Sequence, residues 1–112
     1  MWEENLRKFD QLVDLCPGIE RKGKTMPYTS DNGYMFALLN KEGELGIRLP
    51  KASAIQFMEE YPSRAFKSHG ATMKDYVLIP SQLLNDLGRL SVYLKESHAY
   101  VLSLKPKASK KK

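Results

Sequence analysis

The apolar positions along this chain change period several times, and each change marks an element. Leu6, Phe9, Leu12 and Val13, flanked by Trp2 and Cys16, form the stripe of an amphipathic helix over 3–15. Glu3 and Glu4 suit its first turn, where the helix dipole favours negative charge, and Pro17-Gly18 stops it. Residues 19–28 are polar and mixed and read as an edge strand plus loop. Ser30-Asp31-Asn32-Gly33 is turn chemistry, because Asn and Gly tolerate positive φ. Tyr34 to Leu39 is a short apolar run with aromatics, the mark of a buried strand. After the turn Asn40-Lys41-Glu42-Gly43, the apolar residues Leu45, Ile47 and Leu49 alternate with Gly46 and Arg48, the period of a half-buried strand. The two runs predict a β-hairpin.

Pro50-Lys51-Ala52-Ser53 opens a second helix with Ile55, Phe57, Met58 and Tyr61 as its apolar members, closed at Tyr61-Pro62. Residues 63–72 read as a loop with a short strand at Arg64 to Phe66. Met73 to Ile79 contains the strand signal Tyr76-Val77-Leu78-Ile79 and ends at Pro80. Ser81 is expected to N-cap a single turn holding Leu83 and Leu84. Asn85 or Asp86 then caps a helix to about Leu104, with a stripe of Leu87, Leu90, Leu94, Val101 and Leu104 helped by Tyr93 and Tyr100. This order predicts an α+β fold in two layers, with an antiparallel sheet of about 4–5 strands and helices at the N-terminus, middle and C-terminus.

Charge changes the picture at one end. The net charge is +5, but 105–112 reads Lys-Pro-Lys-Ala-Ser-Lys-Lys-Lys, and without its five lysines the chain holds 13 basic and 13 acidic residues. A single domain over 1–104 and a disordered tail over 105–112 are expected. Lys105, Lys107, Lys110, Lys111 and Lys112 suit weak, sequence-blind contact with nucleic-acid phosphates, since no aromatic or arginine accompanies them to read bases. A single cysteine points to a reducing, cytoplasmic setting. An acidic pair stands where a signal peptide carries positive charge, and no stretch is apolar enough to span a membrane.

Candidate chemistry is sparse. Gly18-Ile19-Glu20-Arg21-Lys22-Gly23-Lys24-Thr25 matches the phosphate-binding pattern G-x-x-x-x-G-K-[ST]. A working phosphate loop follows a buried strand and opens a helix, so that amides at the helix start wrap the anion. Here the match follows a helix, and Pro27 comes two residues past Thr25, so the motif reads as a solvated basic loop. Cys16, His69 and His98 lack the paired spacing of a metal site, and Cys16 reads as a buried small side chain. The pairs Glu3/Glu4, Glu42/Glu44 and Glu59/Glu60 fall on helix faces and a turn tip and read as surface. No catalytic residue, cofactor or metal is expected. The candidate binding loop spans residues 66–74, with Phe66, Lys67, His69 and Lys74 as its leading residues.

Gly33-Tyr34-Met35-Phe36-Ala37-Leu38, followed by Glu44-Leu45-Gly46-Ile47-Arg48-Leu49, resembles the hairpin of the TfoX N-terminal domain family. Phe66 to Gly70, Met73 to Pro80, and Leu84-Asn85-Asp86-Leu87-Gly88-Arg89-Leu90 resemble its later blocks. The family's Met-Phe-Gly-Gly segment before the hairpin is replaced here by Gly23-Lys24-Thr25-Met26-Pro27-Tyr28. The resemblance spans about 3–104 and implies a bacterial protein with a two-layer α+β fold, similar to YjbR-like and secretion-chaperone-like domains. It brings no catalytic residue, and the namesake's regulation of competence belongs to a protein with a second domain. The expected function is therefore a non-enzymatic interaction module that binds protein or itself, with Tyr28, Tyr61, Tyr93 and Tyr100 as interface candidates. The alternative is a weak nucleic-acid-associated protein using the lysine tail.

Overall fold

In the computed structural model, which describes residues 2–62, 64–68 and 70–106, a five-stranded antiparallel sheet carries its helices on one face. The elements are α1 (Trp2–Asp14), β1 (Arg21–Lys22), β2 (Tyr28–Asp31), β3 (Tyr34–Leu39), β4 (Leu45–Arg48), α2 (Lys51–Glu60), β5 (Lys67–Ser68), β6 (Ala71–Thr72), β7 (Tyr76–Leu78), α3 (Ser81–Leu84) and α4 (Leu87–Ser103). The strand order is β1-β2-β3-β4-β7, and β5 and β6 pair separately. The predicted α+β class is the observed one.

α1 forms because Phe9, Leu12 and Val13 lie on one face and bury together against α4 and β3. Its end tightens through Leu15 and Cys16 amides donating to Leu12 and Val13 carbonyls, and Gly18 leaves at φ 89°. α4 is capped by Asp86, whose carboxylate accepts from the Arg89 amide. It lays Leu90, Leu94 and Val101 on the same layer.

Asn32 (φ 56°) and Gly33 (φ 85°) make the tight turn between β2 and β3. Thr29 pairs with Ala37 and Ser30 with Met35, so Phe36 is an extra residue, a β-bulge. The bulge breaks the alternation of β3. Phe36 and Ala37 both join the helix-side core, while Met35 and Leu38 both face the other way. An unbroken strand would have placed half of this run on each face in strict order.

The chain then wraps the β7 edge of the sheet. Tyr61, after α2, is buried in the helix-side core, whereas Phe66 is buried on the opposite face with Leu38 and Leu78. Gly46 makes this possible: a Cβ there would lie 2.5 Å from the Phe66 ring. Phe66 also stacks on Tyr76 at 5.9 Å between centroids.

Several expectations are corrected here. The short strand lies at Lys67–Ser68, paired with Ala71–Thr72, and not at Arg64 to Phe66. The strand signal Tyr76 to Ile79 becomes β7, one residue shorter at Tyr76–Leu78, and it begins after Asp75 turns at φ 71°. Ser81 is the first residue of α3, and Pro80 precedes it with no side-chain cap. Tyr28–Asp31 is an inner strand, where the sequence reading had a loop followed by a turn.

At the far end of α4, Asp31 accepts from His98 Nε2 at 2.8 Å and from the Asn32 amide. The His98 hydrogen bond, aided by that amide, holds the Asp31 carboxyl below its usual range. A depressed carboxylate stabilises the fold above its unfolded value and loses that contribution as pH falls through the folded one. The gap in thermal midpoint between the parent and Asp31→Asn is therefore expected at neutral pH and should close in strong acid. An equal gap at pH 3 and pH 7 would remove this hydrogen bond from the stability account.

Candidate functional site

The described residues of 64–76 form an arm on the sheet face away from the helices, and two apolar depressions border it. The arm is tied down at its start. Asn40, buried in the β3–β4 turn, donates from Nδ2 to the Lys67 carbonyl at 2.7 Å, and its Oδ1 accepts from the Glu42 and Glu44 amides. Arg64 pairs with Glu44. At the arm's end the Tyr76 hydroxyl donates to the Met35 carbonyl at 2.8 Å, and burial pushes its pKa up to about 12. It therefore stays protonated and keeps this bond at any physiological pH.

The larger depression, about 610 Å³, runs between α2 and β7. Ala54, Ile55, Met58, Ala65, Met73 and Val77 give it apolar walls, and Glu59, Arg64, Lys74 and Asp75 stand among its lining residues. Ile55 is 54 % exposed although it belongs to a helix otherwise anchored by Phe57. The floor is the outer strand of the sheet. Because the Leu49 amide bonds the Asp75 carbonyl and the Ile79 amide bonds the Leu45 carbonyl, Asp75 and Ile79 turn their backbones toward β4. Antiparallel alternation then turns the backbone groups of Tyr76 and Leu78 away from β4, and the Tyr76 amide donates to the Met73 carbonyl at 3.3 Å. The smaller depression, about 260 Å³, is walled by Met26, Tyr28, Met35, Leu38, Ser68 and Met73.

The sequence candidates separate in space. Phe66 is 0 % exposed and is a core residue, so it offers no contact to a ligand. Lys67 is exposed beside Glu42, Glu44 and Arg64, and Lys74 is exposed at the larger depression. His69 lies outside the described residues, as do Lys107, Lys110, Lys111 and Lys112. Lys105 is exposed, and its carbonyl accepts from the Tyr34 hydroxyl at 2.7 Å.

Three of the four interface tyrosines are occupied within the chain. Tyr61 is buried against Phe57, Tyr93 meets the same ring edge-on at 5.1 Å, and Tyr100 lies 5.5 Å from the Arg48 guanidinium. Tyr28 faces the smaller depression. Met26, Met35 and Met58 lie outside the candidate loop 66–74, which takes in Met73, and the signal available for them was the number of methionines in a chain of this length.

The remaining candidates resolve simply. Residues 18–25 run through edge strand β1 and open no helix, so no helix start faces a phosphate there. Cys16 is buried, and desolvation raises its thiol pKa, which makes it a poor nucleophile. Among the described residues no three of His, Cys, Asp and Glu gather to hold a metal, and no helix is long and apolar enough to cross a membrane. Compared with models of protein families and with curated proteins, the chain matches none.

Proposed function

We propose that this protein is a non-enzymatic, cytoplasmic interaction module of the TfoX N-terminal type that docks a protein partner along the arm. The observation that carries the reading is the 610 Å³ groove with apolar walls beside the edge strand β7. Concave apolar surface with a few convergent polar groups is where binding concentrates. An edge strand supplies backbone groups that another chain can pair with. The TfoX part of the reading rests on the hairpin blocks and on the order of elements that the resemblance implies. A second copy of the chain is one partner it admits, and sedimentation velocity over a hundredfold concentration range reports it.

The groove is tested by charge. Ile55→Asp places a carboxylate on its wall at a position already half in water, so folding stability should change by no more than about 0.5 kcal/mol. Capture of partners from the native cell by full-length protein should be lost. Val92→Asp, on exposed surface of α4 outside both depressions, is the matched control and should retain capture. Equal capture by the parent and both variants would place docking elsewhere.

A further inference from the structure

We propose that Arg48 is a phosphate-binding residue for a nucleic-acid strand, with one phosphate at its guanidinium and the next ones on the lysines that follow α4. Arg48 lines neither apolar depression, so the proposal stands independently of the groove reading.

A charge without a counter-charge carries the proposal. Arg48 ends β4, and its guanidinium lies 5.5 Å from the ring centre of Tyr34 and 5.5 Å from that of Tyr100. The side chain is half-buried, and its Nε is closed off from water with no hydrogen-bond partner. Arginine keeps its charge throughout the physiological range, and charges taken out of water are normally paired. Among the described residues no carboxylate comes within ion-pair distance of this one. Tyr76 stands opposite it in β7 and is neutral, and Asp31 is engaged with His98. The two tyrosine rings offset part of the cost of burial by cation–π attraction, but they bring no negative charge. They also hold the guanidinium in place before any ligand arrives.

The part of Arg48 that a ligand reaches is its terminal pair of amino groups. Neither bonds a described residue, and neither is sealed from water as Nε is. The two N–H groups of such a planar fork match two oxygens of a phosphate or a carboxylate. The surroundings favour phosphates carried on a polymer. The Tyr34 hydroxyl donates to the Lys105 carbonyl at 2.7 Å, so one tyrosine meets Arg48 with its ring and the start of the lysine segment with its hydroxyl. Lys107, Lys110, Lys111 and Lys112 follow with no acid among them. The fold thus adds an arginine to a segment that has none of its own. A nucleic-acid strand presents a charge at every nucleotide, and phosphate contacts alone sustain its binding. A protein partner needs apolar surface to bury as well, and neither Arg48 nor Lys105 lines an apolar depression. A flat bilayer meets exposed lysines before a half-buried arginine, whereas a flexible strand can bend one phosphate down to it.

The test uses full-length ¹⁵N-labelled protein, titrated at low salt with an oligothymidylate, with poly-glutamate, and with vesicles of phosphatidylcholine and phosphatidylserine. The Nε–H signal of Arg48, assigned through its own backbone, should move at lower concentration with the oligonucleotide than with either of the others. By fluorescence anisotropy, Arg48→Lys should bind a labelled oligothymidylate about three- to tenfold more weakly, since it keeps the charge and loses the fork. Its affinity should fall with salt as steeply as that of the parent, whereas replacing Lys110, Lys111 and Lys112 by glutamine should flatten that dependence. An Arg48 signal that stays still while the oligonucleotide binds assigns the binding to the lysines alone and overturns the proposal, and this result needs no variant to fold. Arg48→Lys binding as tightly as the parent overturns it, as does the absence of oligonucleotide binding at low salt. Poly-glutamate or vesicles moving the signal first overturns it in favour of an acidic protein or a membrane. None of these outcomes touches capture through the groove, which Ile55→Asp reads.

Discussion

Phe66→Ala is expected to destabilise the protein by about 3–5 kcal/mol, the range for removing a large aromatic from a packed site. For a chain of this size that lowers the thermal midpoint by at least about 12 °C. The ring is fully buried, though only a small cluster surrounds it, and it is the apolar anchor of the arm beside the hydrogen bonds of Asn40 and Tyr76. Gly46 is its counterpart. A methyl group there would overlap the ring at 2.5 Å, so Gly46→Ala should cost about 1–3 kcal/mol as an overpacked site. The two changes should not add. Once Phe66 is alanine, the methyl at 46 has room, and its cost should vanish or reverse. Urea unfolding of the two single variants and the double variant measures the coupling. Additive losses would mean that the ring does not rest on Gly46. Because the arm carries walls of both depressions, Phe66→Ala should weaken partner binding even in the fraction that remains folded.

That pair also shows where sequence reading reached its limit. Phe66 stood out as a binding candidate because it sits among polar and basic residues in a loop. The alternation of Leu45, Ile47 and Leu49 was legible and set Gly46 on the face opposite them, where it lies, but the strand is buried on both faces and not half-buried. What that face meets was not legible, since the contact joins residues twenty apart through a segment with no period of its own. A glycine inside a strand pattern marks a close approach of some other group, and Gly46 was the available clue. α1, α4 and β4 were legible because each buries a regular stripe, and β3 because its run is apolar almost throughout. β2 was not: Thr29, Ser30 and Asp31 are polar, and Thr29 is nonetheless fully buried. The bulge at Phe36 hid the second face as well, by placing two successive apolar residues on one side.

Asn32 is the second position where a large effect is expected, because two requirements meet in one side chain. Its backbone holds φ 56° in the β2–β3 turn, and its amide donates to the Val101 carbonyl at 2.8 Å and the Leu104 carbonyl at 2.9 Å. The Val101 carbonyl also accepts from the Leu104 amide at 3.2 Å, and Leu104 is the C-cap of α4, where the last carbonyls have no following helical amide. Asn32→Gly keeps the turn and loses both bonds, so it should cost about 1–3 kcal/mol. Asn32→Ala loses the bonds and adds the left-handed strain of a Cβ, for a total of about 2–4 kcal/mol. Asn32→Asp tolerates the turn but sets a carboxylate against carbonyl oxygens at the negative end of the helix dipole. It should be less stable than Asn32→Gly at neutral pH and recover in acid, where protonation removes the charge and restores one donor. Denaturant midpoints for the three variants at pH 7 and pH 4 order these effects. If glycine matches the parent, the amide bonds contribute nothing; if alanine matches glycine, the turn does not require a left-handed residue.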